Sequence, residues 1–507
     1  MRLLLIMPQI LLLVIASSLG SVSSSQSASL SQAELAQRAE SAAQAMNSRD
    51  FERASQLYRE IVEAVPGLPA ARLNLGMALY MSGQFGEAAT QLEKVIKADE
   101  SLLPAFLFLG ASYLESGKLQ QAVSPLTKYV DTHPEDPQGR RALGEALFYM
   151  DRYEEALPHL QKLTEMEPKD STAWYRLGRC YEQLAAQAFQ TLGEVAPESS
   201  YWFALIADSR LAQRQFRSAF YFYKKALEAN PKMRGINVAM SQIYRHLDQP
   251  EWAEEAENKE ALLGPPDCQT EKMVCDFLAG RPHDVLATAR NDNSSEALYW
   301  KSQVYNQLAV EAFSQLGKLP PSFESHQLRA EIHGRQGRHL EAVEEWKKAL
   351  ELSPGHPVAR RGLASSLYLS RNYEEARPLV NELLNEQPDD PQLNYLAGAM
   401  FLNQEEGSEA IPFLEKAVSR DPSNLSAHAD LGRAYLLVGR QEDAIPHLEK
   451  ALATDTEGTL HYRLARAYQG IGQTGKAQET LKRYQELQRR AQEEKKRLEE
   501  EAEITPP

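Results

Sequence analysis

The chain has 507 residues, 43% of them apolar and 25% charged, an ordinary soluble composition too long for one simple hydrophobic core. Lys plus Arg number 55 and Asp plus Glu 70, leaving a net charge of −15. An acidic balance of that size argues against nucleic acid and anionic lipid as main partners.

The chain opens with one Arg, an apolar run from Leu3 to Ile15 and then small residues. That layout predicts a secretory signal peptide over 1–24, cleaved near Gly20 to Ser25, followed by a Ser-rich linker over 25–34. The run is too short to span a bilayer comfortably, and Pro8 interrupts it. No later segment is apolar enough to cross a membrane. The expectation is an exported chain, periplasmic or secreted.

From residue 35 onward the chain repeats itself. Gly76, Gly110, Gly144 and Gly178 are spaced by 34, as are Ala54, Ala88, Ala122 and Ala156. The register returns in Ala342, Ala376, Ala410 and Ala444 and in Pro354, Pro388 and Pro422. Within residues 104–134, Phe106, Leu109, Gly110 and Tyr113 form one helical face. Ser116-Gly117-Lys118 breaks it, Ala122, Leu126 and Tyr129 resume the period, and Pro134 ends it. Each unit therefore predicts two helices, with the fixed Gly and Ala where they touch. Pro158, Pro378, Pro412 and Pro446 are expected in the first turn of second helices, where a missing N–H does no harm. A unit of this kind buries its apolar stripe only by stacking on neighbours.

The pattern resembles the tetratricopeptide repeat, best in "AWYRLGRCY", where Trp174, Leu177, Gly178 and Tyr181 match the family's first-helix residues. The resemblance covers nearly all the chain after the leader. It implies an all-α, right-handed α-solenoid of stacked helix-turn-helix repeats. Units are expected to start near 35, 69, 103, 137, 171, 200, 234, 323, 357, 391, 425 and 458. The expected organisation is an array over 35–267, degenerate units over 268–322, an array over 323–491 and a charged helical tail over 492–507.

Two places depart from the repeat. After Tyr181 the expected turn is missing, and residues 181–231 resemble residues 305–354. Tyr181/Tyr305, Leu184/Leu308, Ala188/Ala312, Phe189/Phe313 and Gly193/Gly317 align at an offset of 124. The reading is one long helix where two were expected, twice, acting as joints near 181–200 and 305–323. Cys268 and Cys275 lie between them. On one helix, seven residues would separate them by about 10 Å, too far for a disulfide, whereas Pro265 and Pro266 favour a loop that brings them together. A bridge and two free thiols both remain open. Cys180 takes a slot filled elsewhere by Ala78, Ser112 and Ala146, the place of a small core residue.

"GIGQTGKA", Gly470 to Ala477, nearly spells a phosphate-binding loop. A helical stretch precedes it and Ala477 stands where a hydroxyl is needed, so it reads as the last repeat's turn. The eleven histidines form no metal or catalytic spacing. No cofactor, metal or catalytic residue is expected, and no enzymatic activity. The tail reads as a solvated capping helix with pairs such as Glu493/Arg497 and Lys496/Glu500.

What remains is a surface. In the family, first helices line the concave face. By position these include Leu73, Met77, Tyr80, Met81, Arg141, Phe148, Tyr149, Tyr175, Arg179, Arg361, Tyr368, Tyr395, Arg433, Tyr462 and Arg466. Aromatics and arginines anchor interfaces, and arginines on an acidic chain suit carboxylates or acidic peptides. The resemblance implies an exported scaffold that presents a preformed groove to peptide segments of partner proteins. A rival reading is an accessory part of envelope assembly or exopolysaccharide export, binding a polymer or bracing a pore.

Overall fold

The computed structural model describes residues 31–507, the side chains of residue 494 and of residues 497–501 excepted. The leader read over 1–24 and residues 25–30 of the linker lie outside the described residues, as do the tail pairs involving residues 497–501. All regular structure among the described residues is helical. First helices begin at 32, 69, 104, 137, 171, 200, 236, 323, 357, 391, 425 and 459, within three residues of the starts expected from spacing. No described helix is long and apolar enough to cross a membrane.

Local chemistry sets these boundaries. Pro69, Pro104, Pro137, Pro357 and Pro391 open first helices, where their fixed φ is already helical. Asp136, Asp390 and Asn424 cap them by accepting backbone N–H bonds. The turn inside a repeat needs a left-handed residue. Gly83 and Gly117 supply it at φ 84° and 71°, while Asp151 and Arg371 adopt it at 58° and 62°.

The two helices of a repeat meet through one small residue. A Cβ on Gly76 would lie 2.6 Å from Leu92, and one on Gly432 would lie 2.6 Å from Leu448. Gly110 with Leu126, Gly144 with Leu160 and Gly398 with Leu414 repeat the contact. Each leucine is sixteen residues after its glycine and buried, and the alanine four residues before it is fully buried. The internal prolines are placed differently from the expectation. Pro158, Pro378, Pro412 and Pro446 are each the sixth residue of a second helix, beyond the unpaired first turn. All four are exposed, so water reaches the carbonyl that each leaves without an N–H.

The chain forms two compact units, neither continuous in sequence. One comprises residues up to Gln190 with Gly280–Arg290 and Trp300–Leu319. The other comprises Thr191–Ala279, Asn291–Tyr299 and Pro320–Pro507.

Both departures from the repeat are long helices, Ser171–Val195 and Ser295–Lys318. Inside the first unit they pack on each other. The glycine slot at Gly178 faces the ring of Phe313, 135 residues away, and not a residue sixteen positions on. Ala309, Phe313 and Leu316 have the spacing of Ala156, Leu160 and Leu163, and Leu316 is as buried as Leu163. The exchange runs in the other direction too. Ser302 stands in the glycine slot of the second long helix, and its hydroxyl donates to the Ala185 carbonyl at 3.2 Å. The Ala122 carbonyl approaches Gly110 in the same way in a regular repeat. Tyr181 and Tyr305 stack between them with ring centroids 6.2 Å apart. The end of each long helix thus serves as the second helix for the start of the other.

Cys268 lies in a loop before the helix Lys272–Leu278 and is joined to Cys275 by a disulfide, their Cα atoms 5.6 Å apart. Cys180 is buried, and burial pushes its thiol up to about 12. "GIGQTGKA" forms the turn between Thr459–Gly470 and Thr474–Glu501, with Gly472 left-handed. The tail departs from its expectation: after Glu501 the chain leaves the helix, and residues 502–507 run back onto the second unit.

The exchanged packing makes Phe313 do the work of a core leucine. Phe313→Ala is expected to cost about 3 kcal/mol in urea unfolding, and Phe189→Ala, more exposed at the aligned position, about half as much or less. Equal losses would contradict the pairing. Acidification should also weaken the fold. His428 and His447 face each other with their Nδ1 atoms 2.8 Å apart. Burial, then Lys450, lowers the His428 pKa; burial, then His428, lowers that of His447. Burial first also lowers those of His159 and His356. The unfolded chain therefore takes up protons first as pH falls through about 6.5. The contribution is complete above that pH and lost below it. Tm should fall between pH 7.5 and 5.5, less steeply in His447→Gln.

Candidate partner-binding face on the first helices

The first-helix positions divide by environment. Leu73, Met77 and Tyr80 are buried in the core of the opening repeats, and Tyr175 is buried as well. They pack between neighbouring helices and are not open to a partner, which corrects the surface role expected of them. Met81 packs against the same core from its edge. The stripe is too wide here because every neighbouring first helix also needs apolar contacts.

The arginines of the first unit are already engaged. Arg141 is paired with Glu167 and with Asp170, which also caps the next first helix. Arg179 donates to Glu182 at 2.5 Å. Arg176, absent from the expected set, lies 4.9 Å from the Tyr149 ring centroid and 5.7 Å from that of Phe148. It donates to the Tyr149 hydroxyl at 2.6 Å and faces Glu145 at 3.6 Å. Tyr149 and Phe148 thus form a cation–π platform around a charge that is already balanced. In the second unit Arg361 repeats the Arg141 arrangement, bonding Asp390 at 2.7 Å across the same 29-residue step. Arg141 and Arg361 are ties between repeats.

The later first helices of the second unit are different. Tyr395 donates to Asp430 at 3.2 Å, and Asn403 donates to the hydroxyls of Tyr368 at 3.5 Å and Tyr373 at 3.2 Å. Burial raises the Asp430 pKa, against the pull of Tyr395, Arg433 and Arg463. Burial lowers the Arg463 pKa, and the next cause is the like charge of Arg433. Among the described residues neither Arg433 nor Arg463 has an ion pair at contact distance. Two half-buried arginines therefore act on Asp430, a carboxylate that burial itself disfavours, and Asp455 is a further anion near Arg463. Arg466 adds an exposed cation on the same helix, and Tyr462 is 44% exposed beside Tyr484. With no ion pair at contact distance, an arrangement of this kind favours an added anion, because a carboxylate in contact relieves the arginine repulsion.

Of the expected residues, Tyr368, Tyr395, Arg433, Tyr462 and Arg466 belong to this face. Asp430 and Arg463 were missed. Their signal was present: Asp430, Arg463 and Arg176 occupy one repeat slot, two residues before the glycine position, where Leu396 and Ala142 stand elsewhere.

Tetratricopeptide repeat family models match residues 45–109, 82–137, 141–184, 335–400, 401–459 and 459–490, together more than half of the chain. The matches leave out residues 185–334, which hold the end of the first exchanged helix and all of the second. No curated protein matches the chain. Among solved structures, Cut9 in the APC/C Cut9–Hcn1 hetero-tetramer is similar at 14% identity, covering 91% of this chain and 96% of that one, with a TM-score of 0.31. Yeast Tom70 is similar at 15% identity, covering 86% of this chain and 95% of its own, with a TM-score of 0.29. MamA from Desulfovibrio magneticus RS-1 is similar at 18% identity over 38% of this chain and 94% of its own, with a TM-score of 0.22.

If Arg141 and Arg361 tie repeats together, Arg141→Ala and Arg361→Ala should each cost about 1–2 kcal/mol in urea unfolding, whereas Arg179→Ala should cost about 0.5 kcal/mol or less. Equal small losses for all three would return Arg141 and Arg361 to the list of free surface cations.

Proposed function

Because the chain belongs to the tetratricopeptide repeat family, we propose that it is an exported scaffold without catalytic activity, and that it holds an acidic segment of a partner protein against Arg433 and Arg463. The observation that carries this reading is the pair Arg433 and Arg463, like charges that oppose each other beside half-buried Asp430 and Asp455, neither arginine having an ion pair at contact distance among the described residues. A partner's Asp or Glu side chain supplies the missing anion. Tyr368, Tyr395 and Tyr462 offer ring faces and hydroxyls on neighbouring first helices, rigid groups that lose little freedom on binding. The apolar run that opens the chain and the Cys268–Cys275 bridge support an exported chain, since disulfides persist in oxidising compartments.

The test is a fluorescence-anisotropy titration of the full chain with a labelled peptide of alternating Glu and Tyr. Arg433→Glu with Arg463→Glu is expected to weaken binding by about a hundredfold, with helicity unchanged. Arg179→Glu is expected to change it by less than about threefold. Binding that survives the double substitution, or that is lost equally in Arg179→Glu, would overturn the site.

A further inference from the structure

A second site follows from a rule that the repeats keep and then break. In many repeats a tyrosine stands three residues after the glycine slot of the first helix. Its hydroxyl donates back to the second helix of the preceding repeat, 19 or 20 residues earlier in the chain. Tyr113 bonds Glu93, Tyr435 bonds Glu415 and Tyr468 bonds Glu449. Tyr181 keeps the same relation with Gln161, whose amide donates to its hydroxyl at 2.8 Å. Tyr244 occupies the same slot, on the helix Ile236–His246. Twenty residues earlier stands Lys224, a cation with no acceptor. The tyrosine is buried, and its hydroxyl donates instead to the Thr505 carbonyl at 2.8 Å, 261 residues away.

The space around that bond is a cleft. The helix Phe216–Ala229 and the helix Ile236–His246 meet over less of their length than successive helices at most other repeat junctions. A cavity of about 370 Å³ opens there, walled by Phe220, Leu227, Met240 and Leu263 and edged by Lys224 and Lys259. Thr505, Pro506 and Pro507 close one side of it, and Ala502 is buried at 8% exposure where the tail joins the surface.

We propose that this cleft is a peptide-binding site for an extended Thr-Pro-Pro segment, and that residues 502–507 of the same chain occupy it in cis. The chemistry of the segment fits the cleft. Proline brings no backbone N–H, so Pro506 and Pro507 lie on an apolar wall without leaving a donor unpaired. Their fixed φ holds the segment extended, so little ordering entropy is lost. The Thr505 carbonyl meets the only tyrosine of this slot set that faces a lysine. The helix Thr474–Glu501, about 42 Å long, delivers the segment to the cleft. A ligand carrying the same Thr-Pro-Pro sequence must displace this strap, so the site is self-gated. It shares no residue with the Arg433 and Arg463 face.

The test uses the labelled hexapeptide Ala-Glu-Ile-Thr-Pro-Pro and the full chain. In one variant Thr505, Pro506 and Pro507 are each replaced by Gly, which keeps the length and empties the cleft. The peptide is expected to bind this variant at least about tenfold more tightly than the native chain, because the strap competes at high effective concentration. Adding Tyr244→Phe should weaken that binding about fivefold, the loss of one hydrogen bond. Adding Lys224→Glu should abolish it, because the new carboxylate takes the tyrosine hydroxyl as in the other repeats. Equal affinity for the native and Gly-substituted chains would overturn the proposal, as would absence of binding to the latter. Light scattering covers the remaining case. A native dimer that becomes monomeric in the Gly-substituted chain would assign the cleft to a second copy and overturn occupancy in cis.

Discussion

Everything in this molecule depends on how closely two helices of one repeat approach. Glycine under a leucine brings the backbones together at Gly76, Gly110, Gly144, Gly398 and Gly432. A Cβ at Gly76, Gly110, Gly398 or Gly432 would already overlap the leucine side chain, and one at Gly144 would crowd it. The buried alanine four residues before each leucine completes the seam. A repeat is thus a pair of small residues facing one large one, and the 34-residue period restates that contact along the chain.

The two long helices obey the same constraint with different partners. Gly178 still needs a large side chain over it. The chain does not turn after Tyr181, so no residue sixteen positions on can reach it. Phe313 fills the place, and Ser302 meets the Ala185 carbonyl in exchange. The duplicated stretch seen in the sequence therefore has a physical reason. Each copy carries both the small slot and the large cover, and the two copies satisfy each other.

Most of the fold was legible because it is periodic. Spacing alone put the first helices within three residues of their starts. It also marked both long helices as exceptions, since alignment at an offset of 124 needs only residue identities. Their mutual pairing was not legible. A pattern of small and large positions says that a cover is required but not which segment supplies it across 135 residues. The internal prolines were placed too early for a related reason: periodicity locates a helix better than its first residue. The candidate face was legible only in part. Slot arithmetic found Arg433, Tyr395 and Tyr368, but it assigned Tyr80 and Met77 to the surface when the neighbouring helix covers them. It also gave no way to see that Arg141 is consumed by Glu167 and Asp170 while Arg433 is not.

In a repeat protein, then, function is legible where a slot's partner changes. The regular positions are explained by stacking and say nothing about ligands. Arg141 and Arg361 repeat one another, and both turn out to be ties. Arg463 takes the slot of Arg176, yet Arg176 has Glu145, Tyr149 and Phe148 around it while Arg463 is opposed by Arg433 and has Asp430 and Asp455 only beyond contact distance. Tyr244 takes the slot of Tyr113 and Tyr435, yet a lysine stands where they find glutamate. In both places the fold has kept a side chain and withdrawn its partner. A polar group left in that state at a half-buried junction draws in whatever supplies the missing charge or acceptor. At Tyr244 the chain's own Thr505 already does so, and at Arg433 and Arg463 the proposed partner segment would supply an anion from outside.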